Sequence, residues 1–425
     1  MGAVSNNEPI AVPRRSTESL GWNEIGSIVI LLVAAISLRD LAPAPSNAAL
    51  VLRVVWVLLY AGALAALMLQ FGAAWLTWTI RRQPALCIVL MIAAVSCLWS
   101  LEPGGSLQKA LSLAGTTVLG VFIGYSCSPQ RIMRVLAWTL MLVIASSVLF
   151  ALWFPLAPTE WPGWRGIVGH KNTLGAVATM AVVFSVVAIL WRSAAPRWWA
   201  ATLCFLSIVA LIQSRSRTSI AASAFSLVAL AYLSSASGGS RPTLARLRRL
   251  SLALVFCVSI LPFFVGPLAA ALGNDDPLNG RTKIWAGVAT MLSERPLTGY
   301  GYEVVWRRRK ATRLPEIEIT AQRSSTSAHN SILDIAAELG IPAAIVACFF
   351  LFTALVETAR LFEREPSDFS LFALLFTLGI VVMGFTEAHL FRIHSMLWIM
   401  FVALIVAVSR SLERLEPASS GGISA

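Results

Sequence analysis

Residues 173–191 read TLGAVATMAVVFSVVAILW, nineteen positions without a charged side chain. A helix of that length, rising about 1.5 Å per residue, matches a hydrocarbon core about 30 Å thick. The stretch therefore reads as a membrane span, and the rest of the chain repeats its composition. Of 425 residues, 57% are apolar and only 13% charged, against about 25% charged in an ordinary soluble domain. A soluble multidomain enzyme is excluded. Outward from this span, further apolar segments fall at 24–41, 49–69, 85–101, 107–126, 133–154, 197–213, 218–235, 249–271, 332–357, 369–388 and 393–410, bounded by Arg, Pro, Gly and Asp clusters. The fold class is an all-α polytopic membrane protein with about 12 transmembrane helices. The expected organisation is a cytoplasmic N-terminal segment at 1–23, helices one to nine over 24–271, a long outer loop at 272–331, helices ten to twelve over 332–410 and a cytoplasmic tail at 411–425.

Orientation follows from Lys and Arg. With the N terminus inside, 16 of the 33 cations fall on the inner side and 7 on the short outer connections. Inner loops are the ones enriched in cations, so both termini are expected in the cytoplasm. The net charge of +12 is then largely an orientation signal, and no nucleic-acid partner is implied. The polar start, with Arg14 and Arg15, lacks the pattern of a cleaved signal peptide, so the first helix is expected to stay as an anchor. The six cysteines lie inside apolar stretches and read as small hydrophobes. In the long loop, Arg281–Leu292 places Ile284, Trp285, Val288 and Leu292 on one helical face, which suggests a helix on the outer membrane surface.

With this topology all four histidines (His170, His329, His389 and His394) fall on the outer side. Polar side chains collect there in five groups. Arg165, His170, Lys171 and Asn172 lie beside turn glycines at the entry to the sixth span, where cations and a helix N-terminus suit an anion; a positively charged interfacial loop is the plainer reading. Arg215 and Arg217 crowd a five-residue link, SRSRT, for which lipid headgroup anchoring is the alternative to a bound anion. Arg281 opens the loop helix, and Tyr300, Tyr302 and Trp306 follow as sugar-stacking candidates or simple interface aromatics.

In the fourth group Ser331 and Asp334 fit a capping box that leaves His329 and Asn330 facing water, with an imidazole able to take a proton near neutral pH. The fifth, Glu387-Ala388-His389-Leu390-Phe391-Arg392-Ile393-His394, reads as a proton-transfer group or a solvated turn. No P-loop and no Asp-x-Asp pair occurs, and charges in mid-span are nearly missing, which argues against an ATP-driven pump and weakens an ion-coupled carrier.

At these residues the sequence resembles the bacterial O-antigen ligase/polymerase family, most closely its succinoglycan-type exopolysaccharide polymerases. The matching stretches are GIVGHKNTLG (166–175), SRSRTSIAA (214–222), GRTKIW with ERPLTGYGY (280–302) and SAHNSILDIAAELGIPAA (327–344). The resemblance implies a C-type glycosyltransferase bundle in the inner membrane with a periplasmic active site. Its donor would be an undecaprenyl-pyrophosphate-linked oligosaccharide, and its acceptor a sugar hydroxyl on another lipid-linked repeat or on lipid A core.

It further implies a metal-independent reaction without cofactor, amid membrane lipids, with a chain-length regulator and a flippase as further partners. On this basis His329, Arg217 and Arg281 are the catalytic candidates, and Arg165, His170, Lys171, Asn172, Arg215, Asn330 and Glu387 the substrate-binding ones. Guanidinium forks match phosphate oxygens in pairs and suit the leaving pyrophosphate. His329 and Glu387 both stand as candidate bases. Ligase and, more distantly, a lipid-linked oligosaccharide flippase are the alternatives.

Overall fold

The computed structural model describes residues 20–36, 48–153, 163–191, 196–234, 281–306 and 327–416. All regular structure among them is helical: α1 (Trp22–Ala35), α2 (Ala48–Phe71), α3 (Ala74–Arg82), α4 (Pro84–Val95), α5 (Pro103–Ser126), α6 (Pro129–Trp153), α7 (Lys171–Trp191), α8 (Arg197–Ser214), α9 (Arg217–Ser234), α10 (Arg281–Glu294), α11 (Ser331–Leu339), α12 (Ile341–Arg364), α13 (Asp368–Gly384) and α14 (Met396–Leu415). The protein is a polytopic helical membrane protein. Seven of these helices are long and apolar enough to cross a bilayer, and α3 with α4, bent by 99°, adds an eighth if the pair is one span. The apolar helices α1, α9 and α13 are shorter. The expected span at 249–271, the basic cluster Arg307–Lys310 and the tail beyond 416 lie outside the described residues.

Local chemistry sets the helix ends. Proline opens α4, α5 and α6 and stands second in α12, where its missing N–H has no intrahelical partner to lose. Ser367 accepts from Ser370 N and caps α13, and Ser395 accepts from Trp398 N and caps α14.

Helices α7 and α14 are buried on nearly all sides and form the centre, whereas α2 presents most of its apolar surface outward. Small residues allow the central contacts. Gly120 and Gly124, a G-x-x-x-G pair on α5, lie so close to α14 that a Cβ at Gly124 would stand 2.3 Å from Ala403 O. On α7, a Cβ at Gly175 would meet Ser219 Oγ on α9 at 2.6 Å.

The expected tenth span needs correction. Gly340, at φ 87°, breaks 332–357 into the short helix α11 and the span α12. The ERPLTGYGY stretch fastens onto this break: Ile341 N donates to Pro296 O (2.8 Å) and Gly301 N to Glu338 O (2.8 Å). A Cβ on Gly299 or Gly340 would collide with the facing backbone, so both glycines are required by close approach as well as by positive φ.

The apolar face read from Arg281–Leu292 exists, with Ile284, Val288, Met291 and Leu292 on it. It packs against the protein's own Tyr300, Ala328, Leu333 and Ala337. α3, which lay in an expected connection, is an added helix tied to the chain's C-terminal end by Trp78 and Arg82, both donating to Glu413.

Candidate functional site

The ends of α7, α8, α9, α10, α11, α13 and α14 that carry the five polar groups come together at one end of the bundle. Glu387, just past α13 and 5% exposed, is the hub. Its Oε1 accepts from Arg281 Nη2 at 2.5 Å and from Asn172 Nδ2 at 2.7 Å. Its Oε2 stands 3.2 Å from His329 Nδ1, and its backbone carbonyl accepts from Ser331 Oγ at 3.1 Å. Asn172, Arg281 and His329, which lie 215, 106 and 58 positions from Glu387 in the chain, thus meet on one carboxylate. Burial pushes the Glu387 carboxyl up, but the hydrogen bond and charge of His329, with the Arg281 guanidinium, outweigh it and hold it below the ordinary carboxylate value. Glu387 is a bound anion and a weak base.

Beside the hub lies a group of cations. Arg165, Arg217, Glu387 and Arg215 are all within electrostatic reach of Lys171. His170 links the two halves, since Glu387, His329, Arg165 and Lys171 all act on it. The link is built from backbone contacts: Trp164 N donates to Gln213 O at 2.8 Å, and Gly163 lies against Ser214 O, where no side chain would fit. Arg215 takes φ 52° at the end of α8, which turns the chain sharply into α9. Arg215 and Arg217 are exposed, Arg165 is half-buried, and none of the three has an ion-pair partner among the described residues. These three guanidiniums form a cationic surface suited to a polyvalent anion such as a phosphate.

Beneath the hub is a buried ion network. Arg392 donates to Glu303 Oε1 at 2.8 Å and to Asp334 Oδ2 at 2.9 Å. Asp334 Oδ1 also accepts from Ala328 N at 2.7 Å. Burial alone would lower the Arg392 value, yet Asp334, Glu303 and Glu338 raise it and keep the guanidinium charged. Glu338 is driven well above the carboxylate range by burial and by its neighbours Glu303 and Asp334. His389 is buried with Nε2 unbonded, and burial lowers its imidazole to about 4 despite the nearby Glu387.

A protein-family model described as O-antigen ligase matches residues 202–348, which carry Arg215, Arg217, Arg281 and His329. Over this stretch the chain is similar to the O-antigen ligase family. No curated protein matches it significantly. That similarity supports glycosyl transfer of the ligase/polymerase type in general, with a lipid-linked glycan donor and an acceptor.

The structure brings His329, Arg281 and Asn172 into direct contact with Glu387 and sets Arg165, His170, Lys171, Arg215 and Arg217 around them. Asn330 is placed differently. The expected Ser331–Asp334 capping box is replaced by Asn330, whose Oδ1 accepts from Ile332 N and Leu333 N while its Nδ2 donates to Phe385 O. Ser331 is thereby released to bind the Glu387 turn, and Asp334 to bind Arg392. Tyr300 and Tyr302, 2% and 1% exposed, have their hydroxyls on Glu294 and Phe391 O and are buried away from any sugar. The Glu303–Asp334–Arg392 network went unread. Its signal was present in Asp334 and Glu338, two acids one turn apart in an otherwise apolar helix, which need a buried cation.

Proposed function

We propose that this protein is a member of the O-antigen ligase/polymerase family that polymerises exopolysaccharide or O-antigen repeat units. In this reading about twelve helices cross the bacterial inner membrane, with both termini cytoplasmic and the Glu387 end periplasmic. The single observation that carries the proposal is Glu387, which gathers Arg281, Asn172 and His329 beside three arginines that have no ion-pair partner among the described residues.

The donor is an undecaprenyl-pyrophosphate-linked oligosaccharide whose pyrophosphate lies on Arg215, Arg217 and Arg281, with Arg165 and Lys171 as outer contacts. Arg281 gives one Nη to Glu387, which leaves further donors of its fork for a phosphate oxygen. His329 is the base. Its Nδ1 faces Glu387, so Nε2 remains to accept the proton of the acceptor hydroxyl. Both Glu387 oxygens are engaged, which favours its acting as the orienting anion.

The acceptor oxygen forms a bond to the sugar C1 as the C1–O bond to pyrophosphate breaks. The electron pair leaves with the lipid pyrophosphate, where the arginines meet its charge. One displacement inverts the anomeric centre. Cations take the role that a metal serves elsewhere, so the reaction proceeds without one.

The family model's own description, O-antigen ligase, favours transfer to lipid A core as a second reading. Lipid-linked intermediates in a deletion strain separate the two. Single repeats accumulating on the carrier support polymerisation, full chains retained on the carrier support ligation, and intermediates trapped on the cytoplasmic side contradict both.

A further inference from the structure

The His329–Glu387 contact is made between two segments that do not neighbour each other in the chain, so something must hold them in register. His329 sits at φ 52°, a left-handed conformation that costs an ordinary residue of order 1 kcal/mol and persists only where its surroundings impose it. The preceding residue, Ala328, is fully buried, and its N–H is held by Asp334 Oδ1 at 2.7 Å. The other Asp334 oxygen is held by Arg392 Nη2 at 2.9 Å. Arg392 lies on the turn that carries Glu387, and it reaches across to Glu303 at 2.8 Å. One guanidinium thereby connects the loop before α11, α11 itself and the Glu387 turn, with Ser331 Oγ to Glu387 O as the parallel tie.

We infer that Asp334 and Arg392 are positioning residues for the transfer reaction: their bridge sets the His329 imidazole against Glu387. The inference rests on the reading of His329 as the base. A buried ion network adds little net stability compared with apolar packing of the same volume. What this one contributes is geometry, because Asp334 spans both the backbone next to His329 and the side chain next to Glu387. Asparagine at 334 keeps the volume and, with its one amide oxygen accepting from Ala328 N–H, turns an NH2 donor toward Arg392, which retains Glu303.

The test is a double-mutant cycle on the full-length protein, reconstituted with undecaprenyl-pyrophosphate-linked oligosaccharide extracted from a deletion strain. Asp334→Asn lowers the transfer rate about a hundredfold with a small change in donor KM, the cost of a base displaced by about 1 Å. In a His329→Ala background the same substitution lowers the residual rate less than about twofold, because the group it positions is gone. Equal losses in both backgrounds, or none in either, overturn the positioning role while leaving His329 as the base. A His329→Ala protein with wild-type rate overturns the reading of the base and this inference together. If Asp334→Asn does not accumulate, Arg392→Lys, which keeps the charge but loses the fork, enters the same cycle with the same expected outcomes.

Discussion

His329 Nδ1 and Glu387 Oε2 stand 3.2 Å apart, although 58 positions of chain separate the two residues. The pairing orients one imidazole nitrogen on the carboxylate and leaves the other for a second partner. Glu387→Gln keeps an acceptor for Arg281 and removes the anion facing His329. Transfer is expected to fall by about a hundredfold at unchanged membrane abundance. Turnover per mole of purified protein is the measurement, and a rate within twofold of wild type contradicts the orienting role.

Arginine at 217 and 281 is expected to be irreplaceable by lysine. Lys keeps the charge but loses the paired N–H donors that match two phosphate oxygens, which costs about 1.5–3 kcal/mol per charged hydrogen bond lost. Polymer gels should show short or absent chains for Arg217→Lys and Arg281→Lys at normal protein levels. Normal chain length in either variant removes that residue from the pyrophosphate site.

Chelation offers an independent check on the cation chemistry. Reconstituted protein treated with EDTA is expected to transfer at its original rate. A loss restored by adding Mg²⁺ or Mn²⁺ contradicts the assignment of the leaving-group charge to arginines.

Stability should respond to pH through His389. Its folded-state value of about 4 lies below the ordinary 6.5, so the unfolded chain binds the extra proton between those values. Stability is therefore fully present above pH 6.5 and declines as pH falls toward 4, by at most about 3 kcal/mol. The melting temperature of the detergent-purified protein is expected to drop from pH 7 to pH 5, and His389→Met to reduce that drop. An identical drop in the variant rules His389 out as its source.

The close approach of α5 and α14 predicts a purely structural defect. A Cβ at Gly124 would lie 2.3 Å from Ala403 O, and forcing the helices apart costs about 1–3 kcal/mol. Gly124→Ala should lower membrane yield and melting temperature while the protein that remains keeps wild-type donor KM.

The seven long apolar spans were legible because hydrocarbon thickness imposes a length and a composition that a sequence displays directly, as 173–191 does. The gathering of charge at one end was legible for a related reason. Parity of the spans assigns each loop a side, and Arg165, Arg217, Arg281, His329 and Glu387 share theirs. The break at Gly340 was hidden because Leu339 and Ile341 continue the apolar pattern; only the ELGIP turn signals it, through a glycine whose positive φ is a property of tertiary contact. The roles of Asn330, Ser331 and Asp334 were misread because all three are competent caps. Which one caps depends on where Arg392 and Glu387 arrive from elsewhere in the chain. Tyr300 and Tyr302 look like surface aromatics by composition and are buried because the ERPLTGYGY stretch folds onto the end of α11.

The most direct measurement supplies the reconstituted protein with undecaprenyl-pyrophosphate-linked repeat units and follows free undecaprenyl pyrophosphate together with glycan length. Wild-type protein is expected to release the carrier and form chains of two or more repeats, whereas His329→Ala, at equal protein amount, does both at least about a hundredfold more slowly. Chain growth by His329→Ala at the wild-type rate, or carrier release by neither protein, contradicts glycosyl transfer at this site.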